Sequence, residues 1–161
     1  MAKKVSLYGL LACLCLIFGY LESLVSLSFI APGVKLGLSN GIALLLFARR
    51  DYKGAFAVNT VRILLSTLLF GTPMQLLFSL AGGLGSLLVM ALICRVKRLG
   101  LVGLSITGGV CHNLLQLAVA LPLLGVGVLY YLPLLLLGGA VSGTLIGILA
   151  TIILKKVKTN G

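Results

Sequence analysis

The sequence has few charged residues and almost no acidic ones. Charged side chains make up 9% of its 161 residues, and the two acids are Glu22 and Asp51. Hydrophobic residues make up 60%, and the mean hydropathy is +1.24. A soluble domain of this length could not bury so much apolar surface, and a disordered chain would carry more charge. The composition therefore predicts a single integral membrane domain over residues 1–161.

Motifs of metal-dependent and phosphate-handling enzymes are also missing. The sequence contains no aspartate-rich cluster, no HExxH and no GxxxxGK[ST] loop. Its four cysteines form no CxxC pair and are predicted to be small buried hydrophobic residues. His112 has no serine or cysteine nucleophile arranged with it in the sequence. We therefore expect no catalysis, no metal site and no cofactor.

Long apolar segments dominate what the sequence does contain. A membrane-spanning helix needs about 20 apolar residues, and six apolar segments predict an all-α, compact six-helix membrane bundle. The predicted helices cover Val5–Ile30, Gly37–Ala48, Gly54–Phe70, Pro73–Cys94, Leu101–Leu124 and Tyr130–Leu154. The second helix is short and could start earlier, at Val34, and the last two could instead be divided at Pro122 and Pro133.

The basic residues predict how this bundle is oriented. Most of them fall at the two ends or on alternate connections between the helices. These are Lys3, Lys4, Arg49, Arg50, Lys53, Arg95, Lys97, Arg98, Lys155, Lys156 and Lys158. Because cytoplasmic loops carry an excess of Lys and Arg, both termini are predicted to be cytoplasmic. The net charge of +11 then reflects orientation and contact with lipid headgroups, and no nucleic acid partner is expected.

Small residues at a spacing of four predict close contacts between helices. Gly139, Gly143 and Gly147 form a doubled GxxxG stripe in the last helix. Such stripes let two backbones approach closely in a membrane, where no hydrophobic effect drives association. Internal packing of the bundle is the favoured interpretation, and a docking face for a partner protein is the alternative.

Polar side chains inside the apolar segments fall into three groups. They are Glu22 in the first helix, Asn59 and Arg62 in the third, and His112, Asn113 and Gln116 in the fifth. Polar groups in hydrocarbon are costly and usually face the bundle interior or a cavity. Glu22 and Arg62 could form an ion pair while the other groups hydrogen-bond between helices. If Glu22 pairs with Lys35 instead, Arg62 is left to meet an anion. We favour a ligand site, because two separate helices carry polar groups at similar depth.

The stretch "IAPGVKLGLSN", residues 30–40, separates the first two predicted helices. Pro32 and Gly33 break the first helix, and Asn40 lies close to the start of the second. Lys35 is the only basic residue on the outer connections, so it works against the orientation signal. We interpret this stretch as the rim or lid of the ligand site. A solvated interfacial lysine beside a helix cap is the simpler alternative.

Three motifs carry a resemblance to a known family. They are "APGVKLGLSN", "NTVRILLSTLLFG" and "GGVCHNLLQLAVA". Over nearly its whole length the chain resembles the Gx transporter family, whose members are labelled heptaprenyl diphosphate synthase component I. That family is similar in size and topology to the substrate-binding S components of energy-coupling factor (ECF) vitamin transporters. The resemblance implies a multi-pass protein of the bacterial cytoplasmic membrane. It also implies capture of a small ligand from the outer face, with a separate transmembrane coupling protein and cytoplasmic ATPases as partners.

Three functions follow as hypotheses. The leading one is a binding subunit for the uptake of a small anionic or amphipathic metabolite, attracted by Lys35 and Arg62. The second is a non-catalytic accessory protein of polyprenyl diphosphate or quinone synthesis, or of a linked membrane redox pathway. The third is a structural membrane protein whose polar residues only join helices. The family label suggests a synthase, but the aspartate-rich magnesium sites that such an enzyme needs are missing from this sequence.

Overall fold

The computed structural model describes residues 2–24, 38–94 and 99–159, and nearly all of these residues are helical. The helices are α1 (Ala2–Leu24), α2 (Leu38–Ala48), α3 (Tyr52–Phe70), α4 (Pro73–Ile93), α5 (Leu101–Leu124), a 3-10 helix (Val126–Tyr131) and α6 (Leu132–Thr159). Within these residues, five segments are long and apolar enough to cross a membrane, and α2, with 11 residues, is too short. The predicted all-α class is confirmed, and the apolar helices fit a multi-pass membrane bundle.

Polar caps set the starts of α3 and α4. The Asp51 carboxylate accepts a hydrogen bond from the backbone N–H of Gly54 at 3.1 Å. The Thr72 hydroxyl oxygen accepts one from the N–H of Gln75 at 3.2 Å, and Pro73 occupies the first position of α4. Each cap satisfies a backbone donor that has no partner inside the helix, and proline needs none there.

The short helix α2 is buried on nearly all sides. Its most deeply buried side chains are Ile42, Ala43, Leu44, Leu46 and Phe47. An 11-residue helix is about 16 Å long, whereas the hydrocarbon core of a bilayer is about 30 Å thick. Since α2 connects directly to the start of α3 through residues 49–51, it fills only the half of the bundle next to that turn. We call this the inner half and the opposite one the outer half.

The remaining helices surround α2. Helices α3, α4, α5 and α6 pack on one another in chain order, and α1 packs on α2 and α3. Helix α2 also packs on α6. Over its described residues, helix α2 therefore separates α1 from α6 through the inner half.

The glycine stripe of α6 lies against the backbone of α5. A Cβ atom on Gly139 would lie 2.8 Å from the carbonyl oxygen of Gly109. One on Gly143 would lie 2.7 Å from the Cα of Ile106, and Gly147 is equally close to the α5 backbone. No side chain fits at these separations. The interpretation of the stripe as internal packing is confirmed, and it does not form a docking face.

Several observed helix ends differ from the predicted ones by one to five residues, and the clearest difference with a structural cause is the start of α6. Helix α6 begins at Leu132 because the 3-10 helix takes up Tyr130 and its neighbours. Gly125, at a φ of 81°, ends α5 with a backbone conformation that other residues rarely adopt. Pro122 stays inside the last turn of α5, and Pro133 falls in the first turn of α6, so neither divides its helix.

The first helix also differs from its predicted range. It begins at Ala2 rather than Val5, and its described part ends at Leu24. The predicted end at Ile30 lies outside the described residues.

Candidate ligand-binding site

A cavity of about 640 Å³ lies in the outer half of the bundle. Its walls come from α1, α3, α4, α5, the 3-10 helix and α6, and Asn40 at the start of α2 forms its floor. Cavities of about 300 to 1,000 Å³ are typical of small-molecule sites. Asn40 is the residue of α2 that lines the cavity, and the neighbouring long helices continue past its level.

Polar side chains concentrate in the deeper part of this cavity. Those that line it include Asn40, Arg62, Ser66, Ser79, His112, Asn113, Gln116 and Ser142. Five of these were predicted as site residues, namely Asn40, Arg62, His112, Asn113 and Gln116. Helices α2, α3 and α5, which carry them, are separate in sequence, and the fold brings their polar side chains to one cavity.

Arg62 gives the cavity its charge. It lies ten residues along α3 from the inner end of that helix, or about 15 Å, which is near mid-membrane. An arginine at the centre of a bilayer costs about 2.5 to 3.5 kcal/mol on insertion scales, and a polar cavity reduces this cost. None of the described side chains that line the cavity is acidic. Among the described residues that line the cavity, Arg62 is the charged one.

The side chains of His112 and Gln116 on α5 pack against Gly82 of α4. A Cβ atom on Gly82 would lie 2.7 Å from Cγ of Gln116 and 3.0 Å from Cε1 of His112. His112 and Gln116 are one helical turn apart, so Gly82 receives both side chains on one side of α5. The missing side chain at Gly82 lets α4 and α5 pack closely while two polar groups remain at the cavity wall.

The outer part of the cavity is aromatic and aliphatic. The Tyr20 ring of α1 and the Phe70 ring of α3 lie with their centroids 5.4 Å apart. Phe78, Leu124 and Tyr131 line the same region. The cavity thus has Arg62 and most of its polar side chains toward its inner end, and mainly apolar side chains together with Gln75 at its outer end. A molecule that matches it has an anionic group and an apolar body.

A smaller chamber of about 40 Å³ lies on the inner side of the cavity. Asn40 and Ser142 line both spaces. Asn59, which was predicted as a site residue, lines only the chamber and is 3% exposed. Ser105, 7% exposed, lies in the same wall. The chamber has room for a few water molecules or a small polar group but not for a metabolite.

Asn113 has a structural contact as well as a place in the cavity wall. Its side-chain N–H donates a hydrogen bond of 2.7 Å to the backbone carbonyl of Leu135. This bond joins α5 to α6 just beyond the glycine stripe. The interpretation of the α5 polar group as a hydrogen-bonding contact between helices therefore holds for Asn113.

Two predicted site residues lie outside what the structure describes. Lys35 belongs to residues 25–37, and the side chain of Glu22 is likewise not described, although its backbone is part of α1. Whether Glu22 pairs with Arg62 or with Lys35 is therefore not decided by the described contacts.

Several lining residues were not predicted from the sequence. Cys15 was assigned only as a small buried residue, and it is indeed 2% exposed, but it also lines the cavity. Ser142 directly precedes Gly143 of the glycine stripe, and a polar residue at this place in an apolar helix was a usable signal. Tyr20 and Ser79 carry no local signal, because only the assembled bundle brings them to the cavity.

The one acidic side chain that the structure describes lies at the inner surface, far from the cavity. The Tyr8 hydroxyl donates a hydrogen bond of 2.5 Å to Asp51, whose other oxygen accepts from Gly54. The Tyr8 bond, the Gly54 bond and the charge of Lys4 lower the pKa of Asp51, against a smaller opposing effect of burial. Among the described residues, no group of three or more His, Cys, Asp or Glu side chains could hold a metal ion.

The fold and the cavity define the class of this protein: an all-helical membrane protein with a polar internal cavity. The chain belongs to the heptaprenyl diphosphate synthase component I family, whose model matches residues 11–153. The resemblance stated from the three motifs is thereby confirmed. No curated protein and no solved structure matches the chain.

Proposed function

We propose that the protein is a membrane-embedded binding subunit for a small amphipathic anion. The observation that carries this proposal is the polarity of the 640 Å³ cavity, with Arg62 and His112 at its inner end and Tyr20 and Phe70 at its outer end. The guanidinium of Arg62 and the amide side chains beside it can donate hydrogen bonds to an anionic head. The apolar body would then lie against the aromatic side chains.

The orientation supports capture from outside the cell. A cytoplasmic location of both termini is supported by the basic residues, most of which lie at the termini and on the inner connections. In that orientation the cavity belongs to the extracellular half of the bundle. The apolar packing around α2 closes the cytoplasmic half.

Uptake requires a source of energy that this chain does not contain. The sequence has no phosphate-binding loop of an ATPase. By its resemblance to S components, we assign the energy to a separate transmembrane coupling protein and cytoplasmic ATPases. The protein would then be a non-catalytic part of a transporter.

The family description favours a second candidate function. A component of a heptaprenyl diphosphate synthase could hold a prenyl diphosphate, which is itself an amphipathic anion, and present it to a catalytic partner. The same cavity would serve both roles. Uptake assays in cells that lack the gene, run beside assays of their polyprenyl diphosphate synthesis, separate the two, because each role predicts a defect in only one assay.

Ligand binding is tested by adding octyl phosphate to full-length protein in lipid nanodiscs. The signal from empty nanodiscs is subtracted, and octanol serves as the uncharged comparison probe. We expect octyl phosphate to bind by calorimetry and Arg62→Gln to weaken binding about tenfold or more, because a charge-assisted hydrogen bond is lost. Arg62→Lys should retain part of the affinity. Lys156→Gln, which removes the same charge at an exposed position of α6, is the matched control and should bind like wild type.

Two results would contradict the proposal. One is the absence of octyl phosphate binding to the wild-type protein. The other is equal binding by wild type and a folded Arg62→Gln variant, with folding checked by thermal unfolding.

A further inference from the structure

The small chamber on the inner side of the cavity is polar for its size. Its volume is about 40 Å³, and polar side chains that line it are Asn40, Asn59, Ser86, Ser105 and Ser142. A buried water molecule needs about 10 to 15 Å³ of such space and two to four polar partners. The chamber therefore has the room and the hydrogen-bonding groups for about three water molecules.

Two of these side chains are buried and make no hydrogen bond with the described part of the protein. Asn59 is 3% exposed and Ser105 is 7% exposed. Within residues 2–24, 38–94 and 99–159, no group hydrogen-bonds the side-chain amide of Asn59 or the hydroxyl of Ser105. A buried amide or hydroxyl without a partner is costly, and ordered water satisfies such groups in native proteins. These side chains, on α3 and α5, therefore point to an occupant that both donates and accepts hydrogen bonds.

Two further hydroxyl groups in the wall can complete the bonds of this occupant. The Ser86 hydroxyl donates to the carbonyl of Gly83 at 3.1 Å, and the Ser142 hydroxyl donates to the carbonyl of Gly139 at 3.3 Å. Each hydroxyl oxygen keeps a lone pair that can accept another hydrogen bond, and Asn59 supplies two N–H donors and a carbonyl. An anion cannot donate to the acceptors, and a metal ion would leave the donors unsatisfied. Water fits both.

Glycines keep the space of the chamber open. Gly83, Gly108, Gly109 and Gly143 line it. A Cβ atom on Gly83 would lie 3.1 Å from Nδ2 of Asn59. A larger residue there would press on the amide, so the missing side chain of Gly83 leaves room for Asn59 at the chamber wall.

The chamber lies closer to the inner ends of the helices than Arg62 does. Ser105 is about 6 Å along α5 from the start of that helix, and Asn59 is about 10 Å along α3 from its start. Arg62, in the wall of the larger cavity, is about 15 Å from the start of α3. Because Asn40 and Ser142 line both spaces, the polar interior continues inward from the cavity past Arg62.

We propose that the chamber is a binding site for a small cluster of ordered water molecules. Water bridges Asn59 of α3 to Ser105 of α5, with Ser86 and Ser142 as further acceptors, and it meets the water of the larger cavity beside Asn40. The cluster satisfies the buried polar groups of a region that is otherwise apolar. The site belongs to the protein without ligand, so it goes beyond the proposed binding of an amphipathic anion and does not depend on it.

A crystal structure of the whole chain, grown in lipid without added ligand and refined at about 2 Å or better, tests the site directly. We expect about three ordered waters in the chamber. One should lie about 2.7 to 3.2 Å from the side-chain amide of Asn59, and one about 2.5 to 3.0 Å from the hydroxyl of Ser105. A chamber without ordered electron density would overturn the proposal. So would a peak with about six oxygen neighbours within about 2.6 Å, which is the coordination of a metal ion.

Ser105→Ala tests whether the water stabilises the fold. A bridging water loses a partner in this variant, so the midpoint of thermal unfolding should fall by about 2 to 4 °C. Ser6→Ala is the matched control, because Ser6 is exposed on α1 and does not line the chamber. Alanine favours helices over serine, so the control should be neutral or stabilising. A midpoint for Ser105→Ala that equals or exceeds that of the control would contradict the proposal, because removing a hydroxyl without a partner costs nothing.

The outcomes separate this inference from the proposed function. If the chamber holds no ordered water, the hydration site is wrong, and binding of octyl phosphate beside Arg62 is unaffected. If the waters are present but octyl phosphate does not bind, the hydration site stands and the binding function is wrong.

Discussion

The inner and outer halves of the bundle are built from the same long helices but packed differently. In the inner half, α2 fills the centre, and Leu44 is 2% exposed. In the outer half, the place above α2 is occupied by the 640 Å³ cavity, and Leu117 in its wall is 8% exposed. One half is close-packed around an apolar helix, and the other leaves space for a ligand.

This difference suggests that the inner half contributes most of the packing that stabilises the fold, while the outer half contains the candidate binding cavity. Close packing in the inner half holds α1, α2 and α3 together, so the outer half can keep an open cavity without losing the fold. A short central helix achieves this with no additional domain. The same substitution should therefore lower the free energy of unfolding by different amounts in the two halves.

The largest effect is expected in the inner half. Leu44→Ala should lower the free energy of unfolding by about 3 kcal/mol, since it leaves a new void among close-packed side chains. Leu117→Ala, the same change in the cavity wall, should cost less, because one side of that residue already faces open space. SDS titrations of both variants measure the difference. Equal losses at the two positions would show that the halves are equally packed.

The contact between α5 and α6 should give the next largest effect. Gly143→Ala places a methyl group 2.7 Å from the Ser105 carbonyl oxygen and should cost about 2 kcal/mol through forced separation of the helices. Gly9→Ala is the matched control, because nothing lies within 4 Å of a Cβ atom there. It should be neutral or stabilising, since alanine favours helices over glycine. Loss of stability in Gly9→Ala comparable to that in Gly143→Ala would contradict the packing described here.

The smallest effect concerns pH at the inner surface. Because the pKa of Asp51 is lowered in the fold, its contribution to stability is complete above about pH 4 and is lost as the pH falls through the lowered value. Thermal unfolding between about pH 6 and pH 3 should show this loss. Tyr8→Phe removes the hydrogen bond that lowers the pKa of Asp51 most, so it should reduce the dependence of stability on pH. Asp51→Asn removes the titrating carboxyl group and should abolish that dependence. A wild-type curve that matches the Asp51→Asn curve would show that this contact does not stabilise the fold.

Much of the fold could be predicted because lipid imposes a simple rule on the sequence. Every spanning segment must be apolar and helical, so α5 was placed at Leu101–Leu124 and the start of α4 at Pro73 without error. The 3-10 helix was missed, since Val126–Tyr131 is as apolar as the helix that follows it. Its start depends on the unusual backbone of Gly125, which composition does not reveal.

The site was predictable only in part. Arg62 and His112 stood out because polar residues are rare in these segments, and both line the cavity. The sequence also indicated that α2 is short, but not that Asn40 and Arg62 line one cavity, because this depends on how the helices are aligned. Asn59 was grouped with Arg62 by helical spacing, yet it belongs to the small chamber, because one turn of α3 moves a side chain from one space to the next.

The length of α2 also limits how far a solute can travel. A molecule that reaches Asn40 meets α2, which packs against α1, α3 and α6. Beyond it, the chamber of about 40 Å³ admits water but not a metabolite. In the described part of the protein, the cavity therefore ends inside the bundle and does not form a channel across the membrane. Passage to the other side of the membrane would require α2 to be displaced from the centre of the bundle.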